Sequence, residues 1–112
     1  MKDLIIKLKT KDIKIFILSD NFKERTDFLE QKYPILAEAT DKRYYSWQTD
    51  LLKPDPRAYR QILSENNLKP EECIYFDDEK ENIESASKLG IKAFVFPGAE
   101  QTKRILEEHK IL

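Results

Sequence analysis

Three kinds of polar side chain stand at the ends of apolar runs in this sequence. Ser19 closes the run IKIFIL, Lys53 follows the aromatic stretch near Trp47, and Asp77 with Asp78 follow CIYF. A phosphoryl group calls for hydrogen-bond donors and positive charge on its oxygens, and a divalent cation that offsets its charge calls for hard oxygen ligands. A hydroxyl, an ammonium and a carboxylate pair supply that set. In open α/β sheets ligands sit outside the carboxyl ends of strands, which is where these residues fall. Each also has a plainer reading. Asp78 with Glu81 forms a capping-box-like pair, Ser19 can open the next helix, and Lys53 can be a solvated loop lysine. Capping accounts for one aspartate and not two, and the plain readings would all have to land on one sheet edge by chance.

The elements that position these residues alternate between strand and helix. Leu4, Ile5 and Leu8 at helical spacing predict an amphipathic helix over residues 3–11. Residues 13–18 are β-branched and aromatic and predict a strand ending at Ser19. Asn21 with Glu24 predicts an N-cap for a helix that Pro34 stops, residues 35–42 an irregular connection, and Tyr44–Trp47 a short strand. Asp55 and Pro56 predict the start of a helix to about Asn67 that buries Tyr59, Ile62 and Leu63. Cys73–Phe76 predicts a strand buried on both faces. A helix with Ile83, Ala86 and Leu89 inward follows, ended by Gly90 in a left-handed conformation. Ile91–Phe96 predicts the last strand and Glu100 to about His109 a closing helix with Ile105 and Leu106 inward. The alternation points to an α/β fold with a parallel, Rossmann-like sheet and helices on both faces.

Composition bounds the function. With 112 residues and 40% hydrophobic content, residues 1–112 are expected to form a single domain with one core. Twenty Lys and Arg against 21 Asp and Glu leave a net charge of −1, so no basic excess suggests nucleic acid. No apolar run approaches membrane-spanning length and the amino-terminal residues lack a signal-peptide core, so a cytoplasmic protein with no membrane partner is expected. Cys73 is the only cysteine, which excludes an internal disulfide and a cysteine zinc cluster. Two glycines cannot build a Rossmann or Walker phosphate loop. Tyr44 and Trp47 read as packing residues and His109 as a solvated residue near the chain end.

The segments ILSDN, LLKPDPRAY and IYFDDEKENIESASKLGIKAFVF resemble, in order and approximate spacing, the second, third and fourth motifs of the haloacid dehalogenase-like hydrolase superfamily. KPDP followed by a helix, then FDD with Asn82 five residues after Asp77, is the specific joint signal. The resemblance runs up to Leu106. It implies a Mg²⁺-dependent hydrolase of the phosphatase type acting on a small phosphorylated metabolite, dehalogenation being the minority chemistry. It implies that Ser19 binds a phosphoryl oxygen, that Lys53 neutralises it, and that Asp20 and Asn21 flank the phosphate pocket. Asp77 would ligate Mg²⁺ directly or nearly so, Asp78 through a water or as an alternate ligand, and Asn82 would support the acidic loop or Lys53. A response-regulator receiver uses similar groups, but its acidic pair belongs on the first strand and its lysine last, the reverse of this order.

One departure from that superfamily's pattern is visible. Its nucleophile lies in an aspartate-any-aspartate motif on a first strand, and no Asp-x-Asp occurs in these 112 residues. The expectation is the carboxyl-terminal part of a hydrolase core, holding phosphate and metal support without the attacking carboxylate or the cap. The alternative is an inert truncated core acting as a phosphate or metal binder or an interaction module. Without the central strand the Ile13 and Cys73 strands would expose edges. They are expected to close on each other, to take a strand from a second copy or a complementing chain, or to pack loosely.

Overall fold

Parallel pairing is the common feature of the four strands. The structure, a computed structural model, describes residues 2–111. In chain order it contains α1 (Lys2–Thr10), β1 (Phe16–Ser19), α2 (Lys23–Lys32), α3 (Ile35–Glu38), β2 (Lys42–Tyr45), α4 (Ser46–Thr49), α5 (Pro56–Glu65), a 3₁₀ turn (Pro70–Glu72), β3 (Ile74–Asp77), α6 (Lys80–Lys88), β4 (Lys92–Val95) and α7 (Ala99–Glu108). Strand β1 pairs with β2 from Phe16 opposite Lys42 to Ser19 opposite Tyr45. Strand β3 pairs with β4 from Ile74 opposite Lys92 to Asp77 opposite Val95. The expected α/β class and parallel pairing are present. The single sheet is not: among the described residues the strands form two separate two-stranded sheets, so the Ile13 and Cys73 strand regions do not pair with each other.

Two compact units contain these sheets. Residues 1–48 and 98–112 make up the first, residues 49–97 the second. In the first, Leu4, Tyr44, Tyr45 and Leu106 are buried apolar residues, with Thr26 and Thr102 buried among the polar ones. Thr26 Oγ1 donates to the Lys23 carbonyl at 3.0 Å and accepts from Trp47 Nε1 at 2.9 Å, which satisfies a hydroxyl that burial would otherwise penalise. Trp47 thus has a structural partner, although it lies in α4 and not in a strand, and the Lys42 ammonium sits over the buried Tyr44 ring at 4.7 Å. The strand expected from Ile13 begins only at Phe16. Before it, Asp41 takes over: its carboxylate accepts the Ile15 N–H at 2.6 Å and pairs with Lys9 at 3.1 Å.

The second unit follows its helix signals closely, whereas the run 73–76, expected to be buried on both faces, is only half-buried and enters β3 at Ile74. Asp55 caps α5 by accepting the Arg57 N–H at 2.9 Å, and Pro56 takes the first helical position, where its missing N–H costs nothing. Helix α5 ends at Glu65, two residues short of the expected end, and buries Ala58 and Tyr59, with Ile62 and Leu63 half-buried. Helix α6 buries Asn82 and Ala86 and ends before Gly90, whose φ of 95° is left-handed as expected. No described helix is long and apolar enough to cross a membrane.

Gly90 and Gly98 both have φ near 95°, a conformation that strains any Cβ-bearing residue. A Cβ on Gly90 would lie 3.3 Å from Pro70 Cβ, whereas nothing lies within 4 Å of one on Gly98. Gly90→Ala is therefore expected to lower the urea midpoint by more than Gly98→Ala, each costing about 1–3 kcal/mol. Equal losses would remove the steric part of the argument.

Candidate functional site

Strand β3 delivers Asp77 at its carboxyl end, and the segment between α4 and α5 delivers Lys53 to it. Lys53 Nζ lies 2.8 Å from Asp77 Oδ2, with the two side chains only 12% and 5% exposed. A pair this well buried must be supported by further hydrogen bonds to repay its desolvation. Asn82 Nδ2 donates to the same oxygen at 3.2 Å, and the Tyr75 hydroxyl donates to it as well. The Glu79 N–H donates to Oδ1 at 2.9 Å. Four donors therefore converge on one carboxylate.

The surrounding elements hold this arrangement from both sides. Tyr75 precedes Asp77 by two residues and so shares its face of β3. Asn82 sits in the first turn of α6, and its carbonyl accepts from the Tyr59 hydroxyl at 3.1 Å, tying α5 to α6. Ser85 Oγ, one turn further along α6, donates to the Pro54 carbonyl at 2.6 Å and anchors the cis Lys53–Pro54 segment. The plainer reading of Asp78, as the cap of α6, is not what the structure shows. Glu79 occupies the N-cap position without a side-chain cap bond, and it is Asp77 that receives the Glu79 N–H. Asp78 is left exposed beside it.

Electrostatics follow from these contacts. Burial alone would raise the Asp77 carboxyl, but the Lys53 ammonium, the Tyr75 hydroxyl and the Glu79 N–H outweigh it and hold Asp77 well below the usual carboxylate range. Burial first, then the bond to Asp77, pushes the Tyr75 phenol well above its ordinary value, so it remains a donor at neutral pH.

The first unit contains the other expected group. Ser19 ends β1, and its Oγ accepts from Asn21 Nδ2 at 3.0 Å. Asn21 does not cap α2 as expected: Phe22 holds that position without a side-chain bond. The reason is Ser46, at the start of α4, whose hydroxyl accepts the Asn21 N–H at 2.9 Å and donates to the Asn21 carbonyl at 3.0 Å. Asp20 is exposed on the same loop. The structure thus gathers Ser19, Asp20 and Asn21 on one loop of the first unit, and Lys53, Asp77, Asp78 and Asn82 around one carboxylate of the second.

Sequence reasoning passed over Tyr75, Tyr59, Ser46 and Ser85. The two-residue offset of Tyr75 from Asp77 was a readable signal. The partnership of Ser46 with Asn21, 25 residues apart, was not.

Among the described residues no three His, Cys, Asp or Glu side chains form a metal cage. Mg²⁺ commonly takes only one or two protein carboxylates, with waters and substrate phosphate oxygens completing its shell. The Asp77–Asp78 pair fits that donor chemistry. Oδ2 of Asp77 is already shared by three donors, which leaves Oδ1 and the exposed Asp78 as its oxygens for a cation.

Comparison with known proteins gives concordant results. The family model described as "Haloacid dehalogenase-like hydrolase" matches residues 1–96. "Bifunctional epoxide hydrolase 2" of Rattus norvegicus is 27% identical over 104 residues, covering 90% of this chain and 19% of that protein. "D-ribitol-5-phosphate phosphatase" of Bacteroides thetaiotaomicron is 30% identical over 59 residues, covering 53% of this chain and 29% of that protein. A HAD-family enzyme of the same bacterium, crystallised with magnesium and inorganic phosphate, superposes with a TM-score of 0.78 at 23% identity, covering 83% of this chain and 49% of that one. The last likeness establishes the fold. The chain spans about a fifth of the rat protein's length and about half of the crystallised chain.

Removing Asp77 would take one shared acceptor away from Lys53, the Tyr75 hydroxyl and Asn82 together. Asp77→Ala is expected to cost about 3–5 kcal/mol in urea unfolding at pH 7. Lys53→Met, which leaves three donors on the carboxylate, is expected to cost about 1.5–3 kcal/mol. Because the folded-state Asp77 is depressed, its contribution is complete above the unfolded carboxyl value of about 4 and is lost as pH falls below it. The stability gap between wild type and Asp77→Ala should accordingly shrink below about pH 4; a gap that widens with acid contradicts the assignment.

Proposed function

The chain belongs to the haloacid dehalogenase-like hydrolase family, and from that premise we propose that it carries the phosphate- and metal-supporting part of a phosphomonoester hydrolase acting on a small phosphorylated metabolite. The observation that carries the reading is the buried Lys53–Asp77 pair with a second, exposed carboxylate immediately after it. An ammonium beside an acidic pair suits a metal-bound phosphate better than a haloacid. The phosphatase named among the relatives supports the same choice.

The roles follow from the contacts. Lys53 would place its charge on a phosphoryl oxygen; in the first unit Ser19, fixed through Asn21 and Ser46, carries a hydroxyl of the kind that binds phosphate. Asp78 with Oδ1 of Asp77 would hold Mg²⁺, which when bound offsets phosphoryl charge and orients the ester. This refines the sequence expectation, in which Asp77 was the direct ligand and Asp78 the alternate. Asn82 serves the acidic loop by holding Asp77 Oδ2. In the family's chemistry an aspartate attacks phosphorus, the ester oxygen leaves, and water then hydrolyses the aspartyl phosphate. These 112 residues contain no Asp-x-Asp to supply that attack. We therefore assign binding, and not turnover, to the chain by itself.

The partner reading rests on the ladders. Each two-stranded sheet leaves strand edges without a ladder partner among the described residues. Isolated two-stranded sheets are marginal, and open edges invite another strand. A second copy or a complementing chain is the proposed occupant. Light scattering should give a mass above that of one chain at high concentration, and a monomer at every concentration would exclude self-association.

Binding is testable with inorganic phosphate and Mg²⁺. Phosphorus NMR titration should show phosphate binding that strengthens with Mg²⁺ and weakens about tenfold or more in Lys53→Met and Ser19→Ala, a loss of about 1.4 kcal/mol or more. Asp78→Asn should remove the Mg²⁺ dependence. Phosphate binding indifferent to Mg²⁺ and to all three substitutions would overturn the reading. Turnover of an aryl phosphate that Asp77→Ala abolishes would overturn the assignment of binding without catalysis.

A further inference from the structure

Tyr75 belongs to none of the polar features that the sequence singled out, yet it completes the arrangement around Asp77. Its hydroxyl donates to Oδ2, the oxygen that also receives Lys53 Nζ at 2.8 Å and Asn82 Nδ2 at 3.2 Å. Its ring packs edge-on against Tyr59, with centroids 5.4 Å apart and planes at 70°. Tyr59 is buried, and its own hydroxyl donates to the Asn82 carbonyl at 3.1 Å. Tyr75, Asp77, Asn82 and Tyr59 therefore close a circuit of three hydrogen bonds and one aromatic contact.

The circuit does something that the Lys53–Asp77 pair cannot do alone. The terminal torsion of an aspartate is broad and two-fold, and a lysine reaches its partner through four rotatable bonds. Two flexible groups do not fix each other. A tyrosine has only two torsions, and here its ring is held by Tyr59 while its hydroxyl sits on Oδ2, so beside the Glu79 N–H on Oδ1 it supplies a rigid reference for the oxygen that Lys53 meets. If the ring merely filled space, phenylalanine would serve equally and avoid burying a hydroxyl.

We propose that Tyr75, braced by Tyr59, is the positioning residue of this site: its hydroxyl fixes Asp77 Oδ2 and thereby the place of the Lys53 ammonium. The functional consequence rests on the reading of Lys53 as the phosphate-neutralising group. The positional claim stands by itself.

Limited acylation with acetic anhydride, read by mass spectrometry, tests the positional claim on the whole chain. Exposed Lys80 and Lys88 serve as internal references. In the wild type Lys53, held on Asp77, should react more slowly than either. In Tyr75→Phe its relative rate should rise at least threefold while the rates of the references stay fixed. Tyr59→Phe, which opens the circuit without touching Asp77, should raise it in the same direction and keeps the question answerable if Tyr75→Phe does not fold. A purely structural Tyr75 would lower the melting temperature and leave Lys53 acylation unchanged. That result in the folded variants overturns the proposal. A parallel phosphate titration with Mg²⁺ should show Tyr75→Phe binding about tenfold more weakly. Absence of phosphate binding in the wild type would sink the phosphatase reading alone, because the acylation ratio still decides the role of Tyr75.

Discussion

The second unit is organised around one buried carboxylate. Taking Asp77 out of water costs several kcal/mol unless its lone pairs are filled, and the donors that fill them come from separate places: Lys53 before α5, Tyr75 within β3, and Glu79 and Asn82 at the start of α6. None of these segments can shift without stripping a partner from the anion. The same constraint extends outward, since Asn82 also receives Tyr59 and Ser85 holds the Pro54 carbonyl. The candidate site carboxylate is thus also the register mark of its unit.

How much of this the sequence disclosed depends on the range of the interaction responsible. Where the deciding contact is local, the reading was accurate. Asp55 and Pro56 start α5, the apolar spacing of Ile83 and Ala86 faces α6 inward, and Gly90 ends that helix with positive φ. Where it is distant, the reading failed for an identifiable reason. Asn21 looked like a helix cap until Ser46 engaged both of its backbone groups. Ile13 and Ile15 looked like strand residues, but the Asp41 carboxylate takes the Ile15 N–H ahead of the ladder. The plainer reading of Asp78 as a cap fails because the preceding carboxylate, held by Lys53, takes the Glu79 N–H.

The candidate site divides in the same manner. Ser19, Lys53 and the aspartate pair were legible because a hydroxyl, an ammonium and paired carboxylates stand in an order that matches a family pattern. Tyr75 and Tyr59 were hidden, since an aromatic residue in an apolar strand or on a helix face reads as core. Tyr59 is indeed core, at 3% exposed, and Tyr75 is half-buried. What distinguishes them is a hydroxyl that burial obliges to find a partner. The partners are Asp77, at the end of β3, and the carbonyl of Asn82, in the first turn of α6.

The pairing of Lys53 with Asp77 also bears on how phosphate and metal would act together. A lysine held 2.8 Å from a carboxylate presents little net positive charge to an anion, because the two charges form a dipole. A cation held by Asp78 and Asp77 Oδ1 would offset the carboxylate and restore the field of Lys53 toward a phosphoryl oxygen. Phosphate, in turn, would supply the cation with oxygen ligands that the two aspartates do not provide. Each ligand then raises the affinity for the other by the same factor, as linkage requires. On the proposed reading the acidic pair does more than hold a metal: it makes the phosphate affinity of Lys53 conditional on the metal being there.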